Sequence, residues 1–504
     1  MRHPMLVAVC AGALAACGFA PLDLWPLTLG GLAVLVALVM QAPTARSSFA
    51  RGWWWGLGHF TVGLNWIAHA FEFQDFMPAQ GGYVAVVLLS LYVAIYPGLA
   101  AILAWRVARH ANAGRATFAL ALGASWIASE YVRATLFTGF AWNPIGVIWV
   151  PTHVSMAATL VGTYGLSGLT LMGVAWATPF IQSAQPKQLA IGAVLAGVAA
   201  ILVVWPYTRP GIDNGPAIRI IQPNVSQAQR HDRDFDEQSV RILERLTGPP
   251  GAEPRLILWP EAGVPYYLEE ESWARYRLAK LLGPRDLLLT GGTTLIYDKR
   301  GDLTAARNSV FAMNALGDLV TRYDKAHLVP YGEYLPMRPL LGAIGLSQVV
   351  QSDVDFVPGV TPRNITAAGF GKIAVDICYE IIFSGQVVDR AHRPDAIFNP
   401  STDAWFGAWG PPQHLAQARM RAIEEGLPVV RATPTGISAV IDADGRLLAA
   451  LPHNKAGVIT TRLPPPKAPT MFAQFGNAIP LLLAVLLGAL AVAPRVRARY
   501  GRTT

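Results

Sequence analysis

The chain has 504 residues, of which 53% are hydrophobic and 14% are charged, and it carries a formal net charge of +8 at pH 7. Soluble domains have about 25% charged residues, so this composition excludes an ordinary soluble protein and indicates a membrane protein with a polar part. The basic residues are spread between apolar segments and form no single patch, which argues against nucleic acid as a partner.

Apolar segments long enough to cross a bilayer as helices, about 20 residues each, fill most of residues 1–208. We predict seven of them, at about 5–20, 24–40, 53–71, 82–105, 116–132, 155–181 and 188–207, and an eighth at 477–494. The predicted organisation is therefore a transmembrane domain at 1–208, a polar domain at 210–474, the eighth helix at 477–494, and a tail at 495–504.

Positively charged residues accumulate on one side of the membrane under this arrangement. Arg2, Arg46, Arg106, Lys187 and the arginines of the tail all fall on that side, whereas the opposite short loops contain almost only Arg133. Loops rich in Lys and Arg stay in the cytoplasm. Both termini are thus predicted to be cytoplasmic, and residues 210–474 are predicted to lie on the exported face.

Within residues 210–474 charged residues become frequent, and short strand-like runs alternate with helix-like ones. The predicted strands are IRIIQPN, RLILWPE, DLLLTGGTTL, NSVFAMNALG, KIAVDICYE and DAIFNPS. The predicted helices are FDEQSVRILERLTG, ESWARYRLAKLL and PPQHLAQARMRAIEEG, the last with Pro at its start and Gly at its end. This alternation predicts an α/β domain, whose ligands gather beyond the carboxyl ends of strands.

A single cysteine stands at the end of one predicted strand. Cys378 has no obvious disulfide partner, because Cys10 and Cys17 are the only others and both lie in an N-terminal apolar segment. A lone cysteine is most often a small buried hydrophobic residue. The alternative is a nucleophile, and the residues at two other strand ends decide between them.

Those strand ends carry Glu261 and Lys325. A thiol with a pKa near ~8.5 is mostly protonated at neutral pH, so a nucleophilic cysteine needs a base and a nearby cation. Glu261 and Lys325 supply both, although a single Glu or Lys is more commonly a solvated surface residue. The ordered set of three, rather than any one member, therefore points to catalysis.

The order Glu261, Lys325, Cys378 resembles the Glu-Lys-Cys triad of the nitrilase superfamily, and Glu333 in YGEYLP resembles its auxiliary glutamate. The strings WPE, DKAHLVPYGEYLP and CYE, with GFAPLDLWPL at 18–27, are similar within that superfamily to apolipoprotein N-acyltransferases along the whole chain. The resemblance implies a four-layer αββα sandwich with the triad at one edge. It also marks Tyr379 and Glu380 as auxiliary residues near the substrate.

The same resemblance implies the reaction and its partners. The Cys378 thiolate would attack a phospholipid ester, with Lys325 and the backbone N–H of Tyr379 holding the oxyanion. The thioester would then pass its acyl chain to the α-amino group of a diacylglyceryl apolipoprotein. A multi-pass monomer among the lipids of a bacterial inner membrane is expected, with the catalytic domain at the periplasmic face. One departure is His231, where the family often carries a tryptophan.

No cofactor and no metal are expected. The histidines are scattered singly, and GGTT at 291–294 lacks the flanks of a phosphate-binding loop.

Two other functions remain open from the residues alone: a membrane-tethered nitrilase or amidase acting on a small C–N substrate, and a binding protein with a degenerate domain. Apolar loops at 337–356 and 399–412 favour lipid substrates, because Trp405, Phe406 and Trp409 are expected to be exposed there. Packing of those side chains on the membrane helices is the alternative reading.

The N-terminus also matches a lipoprotein signal, with a basic start, an apolar stretch and Leu14-Ala15-Ala16 before Cys17. We favour a retained first helix, because GFAPLDLWPL continues into the hairpin that the resembled family keeps.

Overall fold

The computed structural model describes residues 3–73, 78–110, 114–182, 215–226, 229, 235–337, 339, 355–360 and 364–500. The chain divides into two compact units. The first comprises Met1–Ala68, Gln80–Arg209 and Thr470–Thr504, and the second comprises His69–Ala79 and Pro210–Pro469. A short segment between apolar helices thus belongs with the polar unit.

Helices build the described part of the first unit. They are α1 (Pro4–Ala16), α2 (Trp25–Met40), α3 (Ala45–Gly63), α4 (Gly81–Val93), α5 (Ile95–His110), α6 (Arg115–Thr135) and α7 (Ala158–Gln182), followed near the C-terminus by Met471–Phe475 and Ala478–Tyr500. Short 3-10 helices occupy Ile145–Trp149 and His153–Ala157, and a third, Asn65–Phe73, has its last five residues in the second unit. The helical character predicted for this region is confirmed.

Two of the predicted membrane segments differ in their bounds from the helices of the structure. The segment at 53–71 begins earlier, at Ala45, because the Thr44 hydroxyl caps the helix by accepting from the Ser47 N–H at 3.1 Å. The segment at 82–105 is two helices, α4 and α5, which meet at Ala94. Pro97 in the first turn of α5 has no N–H to donate to the preceding turn, which explains the interruption.

Length and composition allow two helical stretches of the described residues to cross a membrane, Gly81–Arg109 and His153–Thr178. Shorter apolar helices are Pro4–Ala16, Trp25–Met40 and Ala478–Ala493. The predicted segment 188–207 lies outside the described residues. Eight crossings therefore stay a prediction.

Glycine permits close packing between α1 and α3. A Cβ atom on Gly12 would clash with the carbonyl oxygen of Trp55, and one on Gly58 would clash with that of Val9. Small residues at a helix interface let the two backbones approach, as in membrane proteins generally.

The described residues of the second unit form two six-stranded sheets. Their strands in chain order are β1 (Ala217–Gln222), β2 (Arg255–Leu258), β3 (Leu287–Tyr297), β4 (Leu303–Met313), β5 (Leu319–Asp324), β6 (Asn364–Ala367), β7 (Gly371–Val375), β8 (Ala396–Pro400), β9 (Val429–Ala432), β10 (Ala439–Ile441), β11 (Leu447–Ala450) and β12 (Gly457–Arg462). The first sheet has the order β12-β1-β2-β3-β4-β5 and the second β11-β10-β9-β8-β7-β6.

Each sheet has a parallel centre and antiparallel edges. Strands β1, β2 and β3 are parallel, as are β7, β8 and β9, whereas the outer pairs are antiparallel. The carboxyl ends of parallel strands meet at one edge of a sheet, and loops there carry functional side chains. The residues after β2, β7 and β8 are therefore brought to such edges.

Helices cover both sheets. Helices α8 (Asp236–Thr247) and α9 (Ser272–Ala279) pack on the first sheet around a buried core that includes Val240, Trp259 and Leu278. Helix α10 (Gly410–Glu425) is buried along almost its whole length beside the second sheet. Pro411 and Pro412 lie in its first turn, and Gly426, whose φ of 64° is left-handed, follows its last residue, as predicted for this helix. The predicted α/β domain is confirmed.

Candidate active site

Cys378 lies just beyond the second sheet rather than on a strand. Strand β7 ends at Val375, and Cys378 opens a 3-10 turn, Cys378–Ile382. The prediction that the strand runs to the cysteine is wrong by three residues. The φ of Cys378 is +52°, a left-handed conformation that costs a non-glycine residue energy and that surrounding contacts must hold in place. Its side chain is 5% exposed.

Glu380 forms hydrogen bonds that connect the turn at Cys378–Ile382 to the segment that carries Lys325. Glu380 is 1% exposed, and its carboxylate accepts hydrogen bonds both from the residue before Cys378 and from the segment around Lys325. The donors are the N–H groups of Ile377, Ala326 and His327 and the hydroxyl of Tyr323, at 2.8–3.0 Å. The predicted auxiliary residue thus lies within the protein, where it joins two loops of the site.

Lys325 follows the last residue of β5 and is buried. Its Nζ donates to Glu333 Oε1 at 2.9 Å and to Glu261 Oε1 at 3.4 Å. Burial alone would lower the pKa of Lys325, but the carboxylates of Glu333 and Glu261 outweigh it and raise that pKa above its ordinary value. Lys325 is therefore a fixed cation.

Glu261 occupies a turn after β2, which ends at Leu258. Its Oε2 accepts from the Thr402 N–H at 2.6 Å, and its Oε1 accepts from Asn308 Nδ2 at 2.8 Å. Burial opposes ionisation of this carboxyl, but the charge of Lys325 and these hydrogen bonds win and hold the pKa of Glu261 below its usual range. Glu261 is therefore ionised at neutral pH.

Gly291 in the GGTT string makes room for that turn. A Cβ atom there would lie 2.5 Å from the Ala262 N atom and 2.7 Å from Glu261 Cα. Its N–H donates to the Pro260 carbonyl oxygen at 3.2 Å. This glycine lets strand β3 approach the backbone of the glutamate turn closely.

Asn308 bridges the two carboxylates, although no sequence motif pointed to it. Its Nδ2 donates to Glu261 Oε1 at 2.8 Å and to Glu333 Oε1 at 3.0 Å. Its backbone carbonyl oxygen accepts from the backbone N–H of Lys325 at 2.8 Å. The available signal was a polar residue at the head of the apolar run SVFAM on β4.

The charges of Glu261 and Lys325 both affect the pKa of the Cys378 thiol. Burial raises the pKa of Cys378, the negative charge of Glu261 raises it further, and Lys325 lowers it only in part. The resting thiol is therefore protonated beside an ionised carboxylate. In this arrangement the carboxylate can accept the thiol proton during a nucleophilic attack rather than before it.

The remaining predicted residues, Glu333 and Tyr379, adjoin this centre. Glu333 Oε2 accepts from the Val329 N–H at 2.7 Å, and its side chain is 15% exposed. The Tyr379 ring contacts Phe383 and His327, with centroids 5.2 and 5.9 Å away. Glu261, Lys325, Cys378, Glu333, Tyr379 and Glu380 are thus brought into one region. His231 lies outside the described residues.

The loop after β8 differs from the prediction. Residues Asp403–Phe406 form a 3-10 helix, and Phe406 is buried against His414 with ring centroids 5.7 Å apart. Trp405 is half-buried and meets Phe73 edge to face at 5.5 Å. The expected exposure of Phe406 is wrong because this side chain fills space beside α10. Most of the other apolar segment, 337–356, lies outside the described residues.

Comparisons with known proteins cover both units. The family model of the apolipoprotein N-acyltransferase N-terminal domain matches residues 11–177, and that of carbon-nitrogen hydrolases matches residues 218–468. An apolipoprotein N-acyltransferase of Rhodopseudomonas palustris is 34% identical over 96% of this chain and 93% of its own. One from Caulobacter vibrioides is 35% identical over 97% of this chain and 94% of its own.

Among solved structures, an amidase of the nitrilase superfamily from Nesterenkonia AN1 aligns with 53% of this chain and 97% of its own. Its sequence identity is 17% and the TM-score is 0.34.

Proposed function

Because the chain belongs to the apolipoprotein N-acyltransferase family, we propose that it moves an acyl chain from a phospholipid to the N-terminal amine of a diacylglyceryl apolipoprotein. The observation that carries the proposal is the buried Cys378 thiol beside the charges of Glu261 and Lys325, with Lys325 Nζ held between the carboxylates of Glu333 and Glu261 at 2.9 and 3.4 Å. This arrangement suits a nucleophile that is activated only during attack.

In the first step the thiol proton moves to Glu261 as Cys378 Sγ forms a bond with the ester carbonyl carbon. Lys325 and the backbone N–H of Tyr379 stabilise the oxyanion. The ester C–O bond then breaks, and the lysophospholipid alkoxide takes the proton from Glu261. The products are a thioester on Cys378 and a lysophospholipid.

In the second step the α-amino group of the diacylglyceryl cysteine attacks the thioester. Glu261 accepts the proton that the nitrogen loses, the C–S bond breaks, and the leaving thiolate recovers that proton. Glu333, which contacts Lys325 and is partly exposed, is placed to orient the incoming amine or the lysine. Glu380 supports the site through the loops it joins.

Membership of the same family and the charge distribution support a placement in the membrane. We propose eight crossings, at the predicted segments, with domains at 1–208 and 210–474, a last crossing at 477–494 and a cytoplasmic tail at 495–504. The second unit, in four αββα layers, then works as a monomer at the periplasmic face of a bacterial inner membrane. The apolar helices and the one-sided Lys and Arg support this arrangement.

A transfer assay with purified protein tests the function. A phospholipid with a labelled acyl chain and a diacylglyceryl-cysteine peptide should yield labelled amide and lysophospholipid. A matched peptide with an acetylated α-amine should accept nothing, because it lacks the nucleophilic nitrogen. Hydrolysis of small amides without transfer to the peptide would instead favour the membrane-tethered amidase.

Topology has a separate test. A periplasm-dependent reporter fused after residue 210 should be active, and the same reporter fused after Arg502 should be inactive, because seven crossings precede the first point and eight precede the second. A cytoplasm-dependent reporter should give the reverse pattern. Activity of one reporter at both points would break the proposed number of crossings.

A further inference from the structure

A buried polar cluster adjoins Cys378, and the proposed chemistry uses none of its side chains. Its members are all 0% exposed: Asn399, Ser401, Asp403, His414 and Arg431. They come from β8 and the loop after it, from α10 and from β9. Burial of so many polar groups is costly unless they are bonded to one another, so the arrangement needs a reason.

Two members of the cluster donate hydrogen bonds to the backbone of Cys378. The Cys378 carbonyl oxygen accepts from His414 Nε2 at 3.0 Å and from Asn399 Nδ2 at 3.3 Å. Since a carbonyl oxygen can only accept, Nε2 of His414 carries the proton. The left-handed φ of Cys378 is the kind of strained conformation that such contacts maintain.

An ion pair holds both donors in place. Arg431 donates to Asp403 Oδ2 at 2.5 Å, and it also donates to the side-chain oxygen of Asn399. Nδ1 of His414, which carries no proton, accepts from Arg431 Nη2 at 3.1 Å and lies 2.9 Å from Asp403 Oδ1. Neither His414 nor Asn399 is therefore free to rotate away from the Cys378 carbonyl group.

Planarity of the peptide bond carries this restraint to the next residue. The bond between Cys378 and Tyr379 fixes the Tyr379 N–H opposite to the Cys378 C=O. We propose that His414 and Asn399, set by Asp403 and Arg431, form a carbonyl clamp that aims the Tyr379 N–H at the oxyanion. The inference rests on the proposed acyl transfer through Cys378. His414 is a positioning residue in it and touches no substrate atom.

Two reactions of the same thiol separate this role from a general structural one. Acylation by an ester develops an oxyanion and needs the aimed N–H group. Alkylation by iodoacetamide forms an S–C bond and releases iodide, with no oxyanion at any point. Loss of the clamp should therefore slow acylation and leave alkylation unchanged.

Full-length variants at His414 supply the test. The amide nitrogen of His414→Gln reaches about as far as Nε2, whereas that of His414→Asn is too short for the Cys378 carbonyl but keeps a polar group beside Asp403. We expect His414→Asn to slow acyl-enzyme formation at least about tenfold, towards the ~10² lost with an oxyanion donor. His414→Gln should recover most of that rate.

The control is His392→Gln, at an exposed histidine of the same unit. The His392 variant should keep the wild-type melting temperature, whereas both His414 variants should melt lower because each weakens a buried hydrogen-bond network. All three variants should keep the wild-type dependence of alkylation rate on pH. Unchanged acylation in His414→Asn, equal loss in the Asn and Gln variants, or a parallel fall in alkylation would each overturn the clamp. Failure of the wild-type protein to form any acyl-enzyme would instead reject the proposed function.

Discussion

Cys378→Ser should lose acyl transfer almost completely, by about 10⁴-fold or more, while folding as the wild type does. Serine matches the size of the buried thiol, so the turn and its hydrogen bonds should survive. An alcohol, however, has a much higher pKa than a thiol, and Glu261, whose own pKa is lowered, is too weak a base to activate it. Release of lysophospholipid by purified protein measures the loss.

The matched control is Cys10→Ser, since Cys10 is an exposed cysteine of α1 far along the chain from the site. It should transfer at the wild-type rate. Near wild-type transfer by Cys378→Ser would rule out the acyl-enzyme route.

Glu261→Gln should change two reactions of Cys378 in opposite directions. Formation of the thioester should fall ~10² to 10⁴-fold, because the general base is lost while the shape of the side chain is kept. Alkylation by iodoacetamide near neutral pH should become faster. The charge of Glu261 helps burial to raise the pKa of the thiol, so its removal lowers that pKa and increases the thiolate fraction.

The pH dependence of the alkylation rate should change in the direction that these shifts of the Cys378 pKa predict. In the wild type, the alkylation rate should still be rising above pH ~8.5, where a free cysteine is already half ionised, because the thiol pKa is raised. In Glu261→Gln the rise should move to lower pH. Glu253→Gln, at an exposed glutamate of the same unit, should leave both reactions unchanged. If Glu261→Gln forms thioester normally and fails only to pass it to the amine, Glu333 becomes the better candidate for the base.

Short motifs explain why the central residues were predictable from sequence. Glu261, Lys325 and Cys378 each stand in a compact string, and their order along the chain identifies the superfamily. Alternating strand-like and helix-like runs predicted the α/β domain, and the Pro and Gly at its ends predicted α10. These features are local, so the sequence displays them directly.

Residues that act through tertiary packing left no such signal. Asn308 bridges the two glutamates only because β4 lies beside the Lys325 segment. His414 reaches the Cys378 carbonyl from α10, 36 residues along the chain. Phe406 belongs to an apolar string that reads as exposed loop, yet it packs on His414. Each of these depends on which elements meet, which composition and periodicity do not determine.

The most direct test of the central claim is the intact mass of the protein purified from membranes and supplied with phospholipid, but without an acceptor peptide. We predict an added acyl chain, which peptide mapping places on Cys378. Hydroxylamine should remove this chain because it cleaves thioesters, and addition of a diacylglyceryl-cysteine acceptor peptide should remove it as well. Transfer to the acceptor peptide by a wild-type protein that carries no acyl adduct would contradict this prediction. An acyl adduct that persists in Cys378→Ser would contradict it as well.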